Sequence, residues 1–172
     1  MAGLIIPFNN FVPRVDPSAF IAPNATLIGD VDIAANASIW FTCVLRGDGP
    51  GIKVGENNNI QDGTVIHIAS RGVGTVVGKN VSVGHMALLH ACTIQDDAFV
   101  GMHATVLDNC VVESGAVVAA GALVPPNKVV KAGELWAGNP ASKMRDVAER
   151  DLEMIKRTCA NYVKLSRRYL SV

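Results

Sequence analysis

Three of the chain's four histidines, His67, His85 and His90, fall in one short stretch, and close to them stand Arg46, Asp48, Asn59, Gln61 and Asp62. Imidazoles gathered in this way suit a divalent cation, because neutral imidazole is a borderline donor that zinc, iron(II) and cobalt(II) all accept. Carboxylates, a guanidinium and carboxamides nearby are the groups that hold such ligands in place and orient a reactant. Cys43, Cys92, Cys110 and Cys159 are scattered without a CxxC pair, which excludes a cysteine zinc finger or a dithiol redox motif. His103 has no partner in the pattern and reads as a solvent-facing corner residue. Reading the other three as ordinary surface imidazoles leaves unexplained why all of them are set into one repeating pattern.

That pattern is a repeat. An aliphatic residue recurs at every sixth position through Ile21, Leu27, Ile33, Ile39 and Leu45, resumes at Val54, Ile60 and Ile66, and again at Val77, Val83 and Leu89. After one deletion it continues from Ile94 through Val130, while small or β-branched residues follow four places later, as at Ala25, Val31, Cys43, Thr64, Ala87 and Cys110. A period of six is neither helical nor a simple alternation, but it fits a short strand and a corner repeated so that each rung stacks on the last. The pattern resembles the hexapeptide-repeat family, whose members wind as a left-handed parallel β-helix of triangular section with three hexads per coil. The handedness is what the resemblance implies, since parallel crossovers are ordinarily right-handed.

With three hexads per coil, equivalent residues three hexads apart share a face and lie about 4.8 Å apart along the axis. Arg46, His67 and His90 then form one outward column, and Asp62 stacks with His85 on the preceding face. His67 and His90 come close enough to share one ion, because each ligating nitrogen needs only about 2.0 to 2.1 Å. His85, around a corner, must come from another chain. Face-to-adjacent-face contact is heterologous and closes on a triangular prism into a threefold ring. The expectation is a homotrimer with one metal site per interface, built from His67 and His90 of one subunit and His85 of the next. The same ring brings Arg46 of one chain towards Asp62 of its neighbour.

The 172 residues carry fifteen basic and fifteen acidic side chains, so there is no field to attract nucleic acid or an anionic membrane. No apolar run approaches the roughly 20 residues of a membrane span, and the first residues lack a charged signal-peptide n-region. A reduced, cytoplasmic protein is expected. Residues 1–20, broken by Pro7, Pro13 and Pro17, form a lead-in with short extended pieces, and residues 21–141 form the β-helix. Residues 142–172 change to an amphipathic helical pattern through Met144, Val147, Leu152, Ile155, Cys159, Tyr162 and Val163, with a break near residues 149–151.

The run Arg46-Gly47-Asp48, then Asn59-Ile60-Gln61-Asp62-Gly63, His67, Gly84-His85 and Leu89-His90, resembles the gamma-class carbonic anhydrases, and Ile39-Trp40, Gly138-Asn139-Pro140-Ala141 and Asn161-Tyr162 extend the likeness over nearly the whole chain. The resemblance implies a trimer holding zinc, or iron(II) or cobalt, on His67, His85 and His90, with reversible hydration of carbon dioxide to bicarbonate by a metal-bound hydroxide. It implies catalytic roles for Gln61, Asn59 and Tyr162, and places Arg46, Asp48 and Asp62 at the interface. Active members can carry proton-relaying glutamates after the Arg-x-Asp motif and in a loop after the first histidine. Here Gly49 follows Asp48, and the loop 68–76 has no acid, offering Ser70 and Arg71. Two other readings stay open: a weak or inactive metal-binding or assembly homologue, and a hexapeptide acyltransferase using one histidine as a base.

Overall fold

In the computed structural model, which describes residues 3–70 and 72–171, the chain winds as a left-handed parallel β-helix closed by one C-terminal helix. The first face stacks the start of Thr26–Ile33, the start of Val44–Val54, and then Val65–His67, Leu88–His90, Thr105–Val106 and Leu123–Val124. The second stacks the ends of the same two long strands with Thr75–Val77, Thr93–Ile94, Val111–Val112 and Val129–Val130. Because those two strands continue around the corner, the two faces are one 12-stranded sheet. The third face runs from Phe20–Ile21 through Ser38–Ile39, Asn59–Ile60, Ser82–Val83, Phe99–Val100 and Val117–Val118 to Glu134–Gly138.

The six-residue period is the reason for this shape. Leu27, Leu45, Ile66, Leu89, Val106 and Val124 all have no exposed surface and form one inward column, with Ile39, Ile60, Val83, Val100 and Val118 as another. Burying each such side chain contributes about 1.5–3 kcal/mol. Between faces the chain must turn sharply, and left-handed residues supply the turn. Asn36, Asn57, Asn80 and Asp97 hold positive φ at one corner, a conformation asparagine and aspartate tolerate better than other side chains. Their side chains form a ladder, Asn57 Nδ2 donating to Asn80 Oδ1 at 3.0 Å and Asn80 Nδ2 to Asp97 Oδ1 at 3.1 Å.

Further strands are added at each end of the solenoid. Leu4–Ile6 and Arg14–Val15 pair in parallel onto Thr26–Ile33. At the other end, Ala141–Asp146 pairs antiparallel with Glu134–Gly138. This corrects the sequence reading, which put residues from 142 onwards in a helical pattern. Met144, taken there as part of an apolar face, is 70% exposed on that strand, and the helix itself runs Glu149–Leu170. It packs down the third face against the strands at Phe20, Ser38, Asn59 and Ser82, burying Ile155, Cys159 and Ser166. Among the described residues no helix is long and apolar enough to cross a membrane.

Candidate metal centre and its surroundings

His67 and His90 end strands that pair in parallel, in direct register with each other. Their ring centroids are 5.1 Å apart. Arg46 lies on the next strand of the same face, since Leu45 pairs with Ile66. The outward column expected from the repeat is therefore present. His85 follows Ser82–Val83 at the corner between the third and first faces, where Val83 pairs with Ile60 and so stacks His85 on Asp62. Gly84 permits this stacking, because a Cβ there would lie 2.5 Å from the Met102 nitrogen of the next rung.

Each of the three histidines has one ring nitrogen on a carboxylate. His67 Nε2 is 3.1 Å from Asp48 Oδ1, His85 Nδ1 is 2.9 Å from Asp62 Oδ2, and His90 Nδ1 is 3.0 Å from Asp108 Oδ2. A neutral imidazole donating one N–H in this way turns its other nitrogen into the acceptor that a cation binds, with the ring orientation fixed. Asp108 was missing from the residues singled out in the sequence. Asp48 also takes the Arg46 guanidinium. Burial works to raise its pKa, but the hydrogen bonds from Arg46 and His67 outweigh burial and hold the carboxyl below the usual range.

The fold does not bring all three imidazoles together within one chain: among the described residues no group of three His, Cys, Asp or Glu side chains could hold a metal. Two imidazoles converge and the third stands around the corner, so one chain alone offers a cation a neutral two-imidazole donor set of the kind zinc and iron(II) accept. Gln61 and Asn59 lie on the third face, 6% and 0% exposed, with Gln61 Nε2 donating to Asn59 Oδ1 at 2.9 Å. Tyr162 reaches this region from the helix with its ring edge-on to Trp40 at 5.2 Å. Burial first, and then the negative charge of Asp62, push its phenol above its ordinary pKa. Arg46 and Asp62, expected to meet across subunits, each have a partner within the chain. Cys92 points into the core, 1% exposed, away from its neighbour His90. His103 is an exposed corner residue with positive φ, and Arg71 lies outside the described residues.

No family model matches the chain. A probable carbonic anhydrase of Methanocaldococcus jannaschii is 50% identical over 146 residues, covering 85% of this chain and 91% of the relative. The carbonic anhydrase of Geobacillus kaustophilus is 39% identical, covering 96% of this chain and 91% of the relative. Gamma carbonic anhydrase 3, mitochondrial, of Arabidopsis thaliana is 54% identical over 90% of this chain but 62% of the relative. The chain thus spans about three fifths of the length of the plant relatives it matches. Among solved structures, a hexapeptide transferase family protein from Anaplasma phagocytophilum superposes with TM-score 0.93 at 49% identity, covering 96% and 98% of the two chains. A putative acetyltransferase of Bacillus cereus gives 0.95 at 34% identity, covering 98% and 97%. With 50% identity to one relative over 85% of its length, 54% to a plant gamma carbonic anhydrase over 90%, and a β-helix that carries the histidine column, the chain belongs to the gamma-class carbonic anhydrase family.

Proposed function

We propose that the chain is a metal-dependent carbonate dehydratase that works as a homotrimer, hydrating carbon dioxide reversibly to bicarbonate at its subunit interfaces. The observation that carries this is the in-register pair His67 and His90, 5.1 Å apart between rings, with no third ligand placed beside them among the described residues. His67 and His90 of one subunit and His85 of the next would hold zinc, iron(II) or cobalt(II). When bound, the cation supplies Lewis acidity that brings a water's pKa to about 7. Gln61, braced by Asn59, orients the reacting water, and Tyr162 walls the pocket on the helix side. Arg46, Asp48 and Asp62 shape the interface and fix the histidines. The four unpaired, buried cysteines support a cytoplasmic setting, although the plant relatives carry mitochondrial names.

Hydration adds water across a C=O bond and releases one proton. With Gly49 and an acid-free loop, that proton has no dedicated carboxylate to leave by and passes to buffer. Stopped-flow hydration on anaerobically purified protein reconstituted with zinc or iron(II) tests the reading, with His90→Ala as control. The expected result is activity that rises with buffer concentration and disappears in the control. One bound metal per subunit without hydration would instead support the assembly or inactive-homologue reading. Gly49 favours that second reading, because it leaves no carboxylate directly after Asp48 to carry the proton away. The transferase names of the two structural relatives give the acyltransferase alternative its own check, a thermal shift with acetyl-CoA, for which no stabilisation is expected.

A further inference from the structure

A buried hydrogen-bond chain runs from the C-terminal helix to Gln61. Cys159 Sγ lies 3.1 Å from the Asn80 backbone carbonyl and 3.2 Å from Ser82 Oγ. Ser82 Oγ is 2.8 Å from Asn59 Nδ2, which also has a longer 3.9 Å contact to the sulfur. Asn59 Oδ1 then takes Gln61 Nε2 at 2.9 Å. Ser82 and Asn59 have no exposed surface, and Cys159 and Gln61 are each 6% exposed. Groups withdrawn from water to this degree must satisfy one another.

The direction of every bond can be read from the buried end. A backbone carbonyl only accepts, so Cys159 donates its S–H to Asn80 and leaves its sulfur as acceptor for the Ser82 hydroxyl. Ser82 oxygen then accepts from the Asn59 amide nitrogen, which turns the Asn59 carbonyl oxygen towards Gln61. Only the Gln61 NH2 group can meet it. Among the described residues Gln61 Oε1 has no protein hydrogen-bond partner, and it is the end left to face the site. Reversing the Asn59 amide would commit the single Ser82 proton to the Asn59 oxygen, so that the 3.2 Å Ser82–Cys159 contact would hold no proton unless Cys159 gave up the Asn80 carbonyl, and it would present the Gln61 NH2 group instead. Burial raises the Cys159 pKa above the ordinary thiol value, so the S–H that anchors the direction persists at neutral pH.

We propose that Cys159 and Ser82 are positioning residues that fix the Gln61 amide with its carbonyl oxygen, rather than its NH2 group, towards the reacting water. The inference rests on the reading of Gln61 as a residue of the hydration site. Oε1 can accept a hydrogen bond from that water and so aim its lone pair, which an outward NH2 group cannot do. A helix far along the chain thereby sets the chemistry offered on a face of the β-helix.

The test compares Cys159→Ala, Ser82→Ala and the conservative Cys159→Ser, which keeps a donor and an acceptor. In metal-free protein, side-chain 15N NMR reads proton exchange of the Gln61 and Asn59 amides. Slow exchange is expected in the native chain and in Cys159→Ser, and exchange faster by about tenfold or more in both alanine variants. With metal loaded, kcat should fall about tenfold in the alanine variants with KM unchanged, and return to within about twofold in Cys159→Ser. Unprotected Gln61 protons in the native chain, or exchange unchanged in both alanine variants, would overturn the proposal whatever the activity does. The expected exchange pattern in a protein that hydrates no carbon dioxide would uphold the positioning chain while removing the enzymatic reading.

Discussion

Asp108 holds His90 Nδ1 at 3.0 Å from one coil further along, and this single contact decides which nitrogen His90 can offer. Asp62 does the same for His85, whereas Asp48 takes Nε2 of His67, so the three imidazoles do not present equivalent atoms. Removing a carboxylate that orients a metal-binding imidazole typically costs 10–100-fold in affinity. Asp108→Asn should therefore weaken zinc binding by about tenfold or more, measured by competition with a chelator, while the circular dichroism of the β-helix stays unchanged. Unaltered affinity would mean that His90 is held by its strand alone. The histidines themselves were legible in the sequence because the repeat sets His67 and His90 directly after an aliphatic residue and His85 one place later, after Gly84. Asp108 was not, although it lies 18 residues from His90, the length of three hexads, because it occupies a corner position where aspartate ordinarily serves the turn.

At the scale of elements, the aliphatic period announced the solenoid from Ile21 to Val130, since no other packing needs the same residue class at every sixth position. The corners were legible only as small or polar spacers. Which of them adopt positive φ depends on the local turn, and His103 and Met86 take it alongside Asn57 and Asn80. The helix starts later than its apolar pattern suggests, at Glu149. Apolar residues at 144 and 147 suit a helical pattern, but the exposed strand edge left by Glu134–Gly138 claims residues 141–146, and tertiary pairing overrides the local signal. What starts the helix is Asp151, whose carboxylate accepts from the Ala148 amide at 2.8 Å and from Arg145 at 2.6 and 3.1 Å. The Arg145 hydrogen bonds, with that amide, lower its pKa to about 2. A carboxyl depressed on folding stabilises the native state above its unfolded value of about 3.9, and this contribution is lost as pH falls towards the folded value. Asp151→Asn should cost about 1 kcal/mol at pH 7. Thermal melts of the two proteins should differ most near neutrality and converge between about pH 4 and pH 2. A gap independent of pH would assign the loss to something other than the charge.

At the scale of the molecule, the prism separates what the chemistry must join. His67 and His90 lie on one face and His85 on the corner before it, and a rigid, fully packed β-helix cannot fold those faces onto each other. Only another copy could bring a third imidazole to the pair, and the threefold closure proposed above would make every site the joint property of two chains. Sharing of this kind predicts complementation. A His85→Ala subunit still carries His67 and His90, and a His90→Ala subunit still carries His85, so each alone assembles into a trimer without a complete site. Co-expressed with different affinity tags, the two should form mixed trimers, and in any ring that contains both kinds one interface in three joins the intact His67 and His90 of one subunit to the intact His85 of the next. Metal content and hydration activity of tandem-purified mixed trimers should both recover in proportion. Were the three ligands drawn from one chain, mixing would restore neither, because every chain in the mixture lacks one of them.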